Sequence, residues 1–305
     1  MSDPVQGDTR SNIPLSYCGG GTAPSDLLPP GTTPLVYTNC WDPRLIEPAA
    51  NNIRHAATLG LPHLQPYQVR AGKVAIVGSA PSVMEHLDYL REFAKDKRNA
   101  IFVVNYAHPL LKKHGIKISG ACLFEIEARA YDCLEDPSPD CTYYICSICD
   151  PSTFQKLEGQ TRVVWHCMSD QESHKTALKE GFPNQLWVGG GFTTFLRTLN
   201  VTYVLGYRDY ELFGVDSSFS SEDSHFFGTP TYGGDVMPIT IGFCDGTQEN
   251  FKSKSYLVRQ ADEFRQFIEG HGHLFKMKVF GESKYPYGLV PLIHRKMSPQ
   301  FYEEA

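Results

Sequence analysis

Hydrophobic residues between positions 73 and 280 follow two alternating patterns. The segment Lys73–Val77 carries a continuous apolar run and is followed by glycine, as is typical of a strand buried on both faces of a parallel sheet. The next segment, residues 82–95, places apolar residues between Val83 and Phe93 at the spacing of one helix face. A strand pattern followed by a helix pattern predicts the beginning of an α/β domain.

The same two patterns recur along the chain. Strand patterns occur at residues 100–104, 121–124, 142–148, 162–167, 210–215 and 275–280. Helix patterns occur at residues 109–114, 191–205 and 258–268. The sequence therefore predicts an α/β fold with a doubly wound, mostly parallel Rossmann-like sheet. In such sheets ligands bind outside the carboxyl ends of the strands, at the crossover point.

The regions outside this alternation have a different composition. Residues 1–70 are rich in Gly and Pro and have few periodic apolar positions, which predicts an irregular N-terminal arm with one short helix at residues 51–59. Residues 71–305 are predicted to form one Rossmann-like domain. Within it, residues 217–255 are rich in Ser, Gly, Thr and Asp, which predicts an inserted loop or lid.

Composition and charge narrow the classes of protein. The chain has 305 residues, 41% of them hydrophobic, which is enough to fill a core. Its formal charge of −6 gives no overall attraction to phosphate polymers, so DNA would need a local basic rim. The candidate cations for that rim are Lys252, Lys254, Arg259 and Lys276.

Hydropathy and the amino terminus bear on localisation. No apolar run approaches the ~18 residues of a membrane span, and the amino terminus lacks signal-peptide features. We therefore expect a cytoplasmic protein.

Nine cysteines, an odd number at low density, favour reduced thiols. Cys146 and Cys149 have the C-x2-C spacing of zinc sites, and Cys141 lies close by. However, these residues lie in a β-rich run, and no second C-x2-C pair occurs. We interpret them as small thiols packed in strands, with a zinc site as the alternative.

Small and polar residues follow the first three predicted strands. The turn after the first strand contains Gly78, Ser79, Pro81 and Ser82, whose amides and hydroxyls suit a phosphate. Asn105 follows the second strand and Glu125 the third. These side chains are predicted to line one edge of the sheet. The alternative is a tight structural turn followed by ordinary helix caps.

Later segments add candidates for ligand binding and proton transfer. The run that contains Gly190 and Gly191 opens a helix, which allows either close approach of a ligand or a flexible joint. Asp216, which follows Gly214 at a strand end, is a candidate ribose, metal or general-base contact, or else a turn cap. His225 lies on the next polar loop and is a candidate proton carrier, although most of the eleven histidines are expected to be structural or exposed.

Taken together, residues 74–82, Asn105, residues 189–191 and residues 205–216 resemble one superfamily. One branch contains archaeal 6-hydroxymethylpterin diphosphokinases and flagellin-modifying motility accessory factors, and the other contains bacterial lipooligosaccharide sialyltransferases. The resemblance covers roughly residues 70 to 280. It implies a Rossmann-like domain that binds a nucleotide.

The resemblance also implies which residues form the nucleotide site. They are Gly78, Pro81, Ser82, Asn105, Gly190, Gly191, Gly214 and Asp216. The sialyltransferases place an asparagine after the third strand, where this chain has Glu125. His225 corresponds to a histidine in the diphosphokinase-like branch.

Three functions follow as hypotheses. The favoured one is a glycosyltransferase that moves a sugar from a nucleotide-sugar donor to an acceptor hydroxyl, on a surface glycan or on a hydroxymethylated base in DNA. The second is a Mg-ATP-dependent diphosphokinase acting on the hydroxymethyl group of a pterin or modified base, with Asp223 as a candidate Mg²⁺ ligand. The third is a non-catalytic nucleotide-binding or assembly protein. The acceptor and the oligomeric state stay open.

Overall fold

A computed structural model of the protein describes residues 11–12, 36–37, 42–128, 134, 136–219, 236–242, 246–281 and 288–301. The strands, numbered in chain order, are β1 (Ser11–Asn12), β2 (Val36–Tyr37), β3 (Lys73–Val77), β4 (Ala100–Val104), β5 (Gly120–Leu123), β6 (Thr142–Cys146), β7 (Thr161–Cys167), β8 (Trp187–Val188), β9 (Asp209–Phe213), β10 (Met237–Gly242), β11 (Gln248–Ser253) and β12 (Lys276–Val279). The α-helices are α1 (Pro43–Ala57), α2 (Leu87–Phe93), α3 (Ala107–Lys113), α4 (Pro151–Lys156), α5 (Glu172–Gly181), α6 (Thr194–Val204), α7 (Ser255–His271) and α8 (Leu289–Met297). Short 3-10 helices span Pro81–His86, Gly272–Leu274 and Pro299–Phe301.

Eight strands form one parallel sheet in the order β12-β9-β3-β4-β5-β6-β7-β8. From β3 the chain advances strand by strand to β8 and then returns to place β9 on the other side of β3. The crossover point of the sheet therefore lies at the carboxyl ends of the neighbouring strands β3 and β9. Helices flank the sheet, so the predicted α/β, doubly wound, Rossmann-like fold is confirmed.

The central strands form because their side chains are buried on both faces of the sheet. All five residues of β4 are buried, and so are four of the five in β3. α6 is buried along its whole length although it carries threonines. Two of these threonines bond within the helix, since the hydroxyls of Thr198 and Thr202 each donate a 2.7 Å hydrogen bond to the carbonyl oxygen four residues earlier.

α1 is longer than the helix predicted at residues 51–59 and begins at Pro43. Asp42 caps it, because its carboxylate accepts a 2.9 Å hydrogen bond from the amide of Arg44. The helix packs against α5, and residues such as Ala49 and Ile53 are fully buried in the core shared with the sheet. The division of the chain at residue 70 stays a prediction.

The predicted loop at residues 217–255 contains an antiparallel hairpin of β10 and β11. The side chains of β10 are exposed or only half-buried, so its sequence lacks the strong apolar signal of the core strands.

Three helices, α4, α5 and α8, were not predicted from the sequence. α5 buries only His174, Ala177 and Leu178, too few residues for a clear helical period.

The cysteines that the structure describes are free and buried: Cys122, Cys141, Cys146, Cys149 and Cys167. The predicted burial of Cys141, Cys146 and Cys149 is confirmed, but only Cys146 lies in a strand. Among the described residues, no three His, Cys, Asp or Glu side chains are grouped so that they could hold a metal ion. No helix in the described part of the chain is both long and apolar enough to span a bilayer.

Candidate functional site

The crossover point is built from two glycines in contact. Gly78 follows β3 and Gly214 follows β9, and the amide of Ala80 donates a 3.0 Å hydrogen bond to the carbonyl oxygen of Gly214. A Cβ at Gly78 would overlap that oxygen, and a Cβ at Gly214 would lie 2.6 Å from the carbonyl oxygen of Gly78. Gly214 also has a φ of +61°. Glycine is therefore required for the two strand ends to approach so closely.

Behind this contact, Ser82 and Asp216 form a buried pair. The Ser82 hydroxyl donates a 2.7 Å hydrogen bond to Oδ1 of Asp216, whose exposure is 3%. The main-chain carbonyl of Asp216 accepts hydrogen bonds from the amides of Leu289 at 2.7 Å and Val290 at 3.1 Å. Asp216 thus joins the end of β9 to the 3-10 helix after β3 and to the first turn of α8.

A cleft of about 830 Å³ opens at this edge of the sheet. It brings together most of the residues that the sequence predicted for the site. Those that line the cleft are Gly78, Ser79, Asn105, Glu125, Gly214 and Asp216. Ser82 is buried behind the lining, and Pro81 begins the adjacent 3-10 helix.

Two non-glycine residues of the lining adopt left-handed backbone conformations. Asn105 has a φ of +48° and Ser217 a φ of +58°. Such conformations carry strain and are concentrated at functional sites. Ser217 is held by its neighbours, because its hydroxyl accepts a 2.7 Å hydrogen bond from Gln260 and its carbonyl accepts a 2.8 Å bond from the Ser253 hydroxyl.

Negative charge predominates among the described lining residues. They include the carboxylates of Asp42, Glu125, Glu127 and Asp216, and Arg44 is the only Lys or Arg in that set. Arg44 is exposed, and its guanidinium pairs with Asp42. The hydrogen bonds from Arg44 lower the pKa of the Asp42 carboxyl to about 2. Among the described lining residues, an anion would therefore find mainly main-chain amides and helix ends, with Arg44 as the one Lys or Arg side chain.

Gly190 and Gly191 lie beside the cleft and are not among its lining residues. A Cβ at Gly190 would lie 2.8 Å from the amide nitrogen of the Asn200 side chain, and one at Gly191 would lie 2.5 Å from Oε2 of Glu263. Packing within the protein thus explains both glycines. Their predicted contact with a nucleotide stays a prediction.

The structure does not assemble the predicted basic rim. Lys254 is buried, and Arg259 pairs with Glu263 at 3.0 Å. Lys276 begins β12 and lies near Asp209, at the amino edge of the parallel sheet and therefore opposite the cleft. Lys252 is exposed on β11. Burial of Lys254, the ion pair of Arg259 and the position of Lys276 at the opposite edge thus leave Lys252 as the exposed cation of the predicted rim.

Comparison with family models adds to this geometry. Residues 48–222, more than half of the chain, match the family described as 6-hydroxymethylpterin diphosphokinase MptE-like. The chain belongs to the MptE-like family. The matched span contains both glycines of the crossover, as well as Ser82 and Asp216. This confirms the resemblance inferred from the sequence motifs.

A solved structure shares the fold of this MptE-like chain. It is described as the structure of a MAf glycosyltransferase from Magnetospirillum magneticum AMB-1, with a TM-score of 0.59 and 18% sequence identity. The alignment covers 84% of this chain but 42% of the other, so this chain spans less than half of that structure's length. The comparison with curated proteins gave no match.

Some site residues lie outside what the structure describes, and others were not predicted. His225 and Asp223 lie outside the described residues. Asp42, which caps α1, and Arg44, in its first turn, line the cleft and precede the span matched to the MptE-like family. Asp42 followed by proline is a recognisable helix-start signal, and it could have predicted that α1 begins here, beside the cleft. Phe192 and Tyr256 also line the cleft, but nothing in their local sequence marks them.

Proposed function

We propose that the protein is a nucleotide-dependent transferase whose reaction moves a sugar from a nucleotide-sugar donor to an acceptor hydroxyl. The observation that carries this proposal is the cleft at the crossover of β3 and β9, where Gly78, Gly214 and Asp216 meet. Ligands of open parallel sheets bind at this position. The names of the family and of the structural neighbour, a diphosphokinase and a glycosyltransferase, both denote enzymes of group transfer.

The donor's phosphate is proposed to lie against the turn of Gly78 and Ser79, with Asn105, Glu125 and Gly214 around the nucleoside. The first residues of α6, Thr194 and Phe195, line the same cleft. A helix start carries partial positive charge and free amides, which stabilise the charge that develops on a departing phosphate. This supply of main-chain donors offsets the scarcity of basic side chains in the described lining.

In the proposed reaction, the acceptor oxygen attacks the anomeric carbon of the sugar. The bond from that carbon to the donor phosphate breaks, and the phosphate leaves with the bonding electrons. The acceptor proton passes to a base, for which we propose His225, while Asp216 contacts the donor. Asp216 is suited to a fixed contact because it is buried and held by Ser82.

We place sugar transfer ahead of pyrophosphoryl transfer because the described lining holds four carboxylates and one guanidinium, which repel the phosphates of ATP unless Mg²⁺ neutralises part of their charge. Diphosphokinase activity on a hydroxymethyl group is nevertheless the second candidate, because the matched family carries that description. It would require Mg²⁺, with Asp223 as the proposed ligand.

For the acceptor we propose a hydroxyl of a surface glycan ahead of a hydroxymethylated base in DNA. The formal charge of the chain is −6, and Lys276 lies at the edge of the sheet opposite the cleft. Among the described lining residues a DNA duplex would therefore find one Lys or Arg side chain, that of Arg44, beside four carboxylates.

Thermal-shift measurements with UDP-sugars, CMP-sugars and ATP, each with and without Mg²⁺, test this proposal. Stabilisation by a nucleotide sugar supports sugar transfer, whereas stabilisation by Mg-ATP alone supports the diphosphokinase. No shift with any ligand contradicts both and favours a non-catalytic protein. Asp216→Asn should abolish the shift, and Asp209→Asn, at the amino end of the same strand, is the matched control that should keep it.

A further inference from the structure

Phe192 has an unusual setting in the wall of the cleft. Phe192 is half-buried and lines the cleft just before α6. The guanidinium carbon of Arg259 lies 4.7 Å from the centroid of that ring, within the range of a cation–π contact. Arg259 is not among the residues that line the cleft. Arg259 thus contacts the ring without itself lining the cleft.

A buried carboxylate fixes both partners. Glu263, on α7, is 5% exposed. Its Oε1 accepts a 3.0 Å hydrogen bond from Nε of Arg259, and its Oε2 accepts a 2.8 Å hydrogen bond from the main-chain amide of Phe192. One carboxylate thus holds both the backbone of the aromatic residue and the cation that contacts its ring.

The neighbouring glycine is part of the same arrangement. A Cβ at Gly191 would lie 2.5 Å from Oε2 of Glu263 and would overlap the side chain of Leu196. Glycine at this position lets the carboxylate reach the Phe192 amide. The position of Phe192 is therefore set by the protein itself before any ligand binds, which lowers the entropic cost of using the ring as a binding surface.

Two further phenylalanines line the cleft, and both differ from Phe192 in their surroundings. Phe195 is buried, with 4% of its surface exposed. The ring of Phe124 stacks on Trp165, with the ring centroids 5.8 Å apart, and the guanidinium carbon of Arg197 lies 5.1 Å from its centroid. Phe192 has Arg259 as its cation–π partner and is open to the cleft. Aromatic side chains of this kind bind planar rings by stacking, and the binding tolerates different bases because each has a π-face.

We infer that the Phe192 ring is the stacking surface for a planar heteroaromatic ring of the substrate, and that Arg259 and Glu263 are positioning residues for it. The ring could come from the nucleobase of the donor or from a pterin-type acceptor, which share this chemistry. The nucleobase form of the inference rests on the function proposed above.

Isothermal titration of full-length wild type and Phe192→Leu with UDP, CMP, ADP, 6-hydroxymethylpterin and ribose 5-phosphate tests the inference. The leucine variant should bind the ring-containing ligands about 10-fold more weakly and leave ribose 5-phosphate unchanged, because only stacking is lost. Phe192→Trp should restore the affinity. Stacking of a ligand on the introduced indole should also quench the tryptophan fluorescence of this variant. Wild type titrated in the same way should not show this additional quenching.

The positioning role has a separate readout. Glu263→Gln weakens the hold on Arg259 while keeping the side-chain volume, so it should weaken binding of ring-containing ligands and leave ribose 5-phosphate unaffected. A merely structural role would instead lower the affinity for both classes alike. Circular dichroism of each variant establishes that it is folded.

The outcomes separate this inference from the proposed function. If nucleotides bind equally well to wild type and Phe192→Leu, the transferase proposal stands and the stacking inference is overturned. If 6-hydroxymethylpterin alone binds and depends on Phe192, the inference holds and the nucleotide-sugar proposal fails. If no ring-containing ligand binds wild type, both are overturned.

Discussion

The hydroxyl of Ser82 donates a 2.7 Å hydrogen bond to Oδ1 of Asp216, across 134 positions of sequence. This bond connects the 3-10 helix after β3 with the end of β9, the two neighbouring strands between which the chain reverses its progress through the sheet. Both residues are buried, so the bond is shielded from water. The carboxylate next to the cleft is therefore fixed in direction before a substrate arrives.

Asp216→Ala should lower turnover by at least ~100-fold, because the donor loses the fixed contact that positions it. His225→Ala should have an effect of the same size, because the acceptor hydroxyl loses its proposed base. Both are measured as kcat with the donor identified by the thermal-shift panel. Turnover like that of wild type in both variants would refute the assignment of these residues.

Ser82→Ala should reduce the free energy of unfolding by about 1–3 kcal/mol, because the buried Asp216 carboxylate loses a hydrogen-bond donor. Urea denaturation at neutral pH measures this change. Ser82→Thr keeps the hydroxyl and should be milder. Equal stability of Ser82→Ala and wild type would mean that the bond contributes nothing to folding.

Gly214→Ala should destabilise the protein more than Gly115→Ala, although the two glycines have nearly the same φ, +61° and +65°. A Cβ at Gly115 meets nothing within 4 Å, whereas one at Gly214 would lie 2.6 Å from the carbonyl oxygen of Gly78. Both substitutions place alanine in a left-handed backbone conformation, so the difference between their free energies of unfolding measures the steric cost at Gly214. We expect this difference to exceed about 1 kcal/mol. Matched urea curves that gave the two variants the same stability would contradict the close contact at the crossover.

The sheet could be predicted because its strands are buried on both faces and therefore appear as continuous apolar runs such as that ending at Val77. The convergence of Gly78, Asn105 and Asp216 followed from the rule that parallel strands end at one edge. These inferences need only local patterns and a general property of the fold.

Other parts of the site depend on contacts that local sequence does not encode. Phe192 and Glu263 are 71 positions apart, and their hydrogen bond gives Gly191 a packing role that a glycine run does not reveal. The arm predicted before residue 70 supplies Arg44 to the cleft only because α1 packs against the core. The hairpin of β10 and β11 was missed because its half-exposed strands lack a strong apolar signal.

Asn52 should position part of the cleft from α1. Its side-chain amide donates hydrogen bonds to the carbonyl oxygens of Ile126 at 3.1 Å and Ile148 at 2.9 Å, and Ile126 lines the cleft. Asn52→Leu leaves both carbonyls without this donor and should cost about 1–3 kcal/mol of stability. It should also raise KM for the donor more than it lowers kcat. Asn51→Leu, at an exposed position on the same helix, is the control and should leave both quantities near wild type.

Acid should destabilise the protein before its carboxylates are protonated, and His108 provides a test. Burial, with a further contribution from Lys112, lowers the pKa of His108 from 6.5 to about 4, and its Nε2 lies 3.0 Å from the Tyr143 hydroxyl. Below pH 6.5 the unfolded chain therefore binds a proton that the folded chain does not. The resulting loss of stability grows as the pH falls to about 4 and then stops growing.

At about pH 5 this difference amounts to about 2 kcal/mol relative to about pH 8. His108→Gln removes the titrating group but keeps an amide that can bond Tyr143, so its stability should fall less over the same interval. Urea denaturation of both proteins at the two pH values measures the contrast. Equal losses would mean that the His108 pKa is the same in the folded and unfolded chains, and that the buried imidazole does not cause the acid sensitivity.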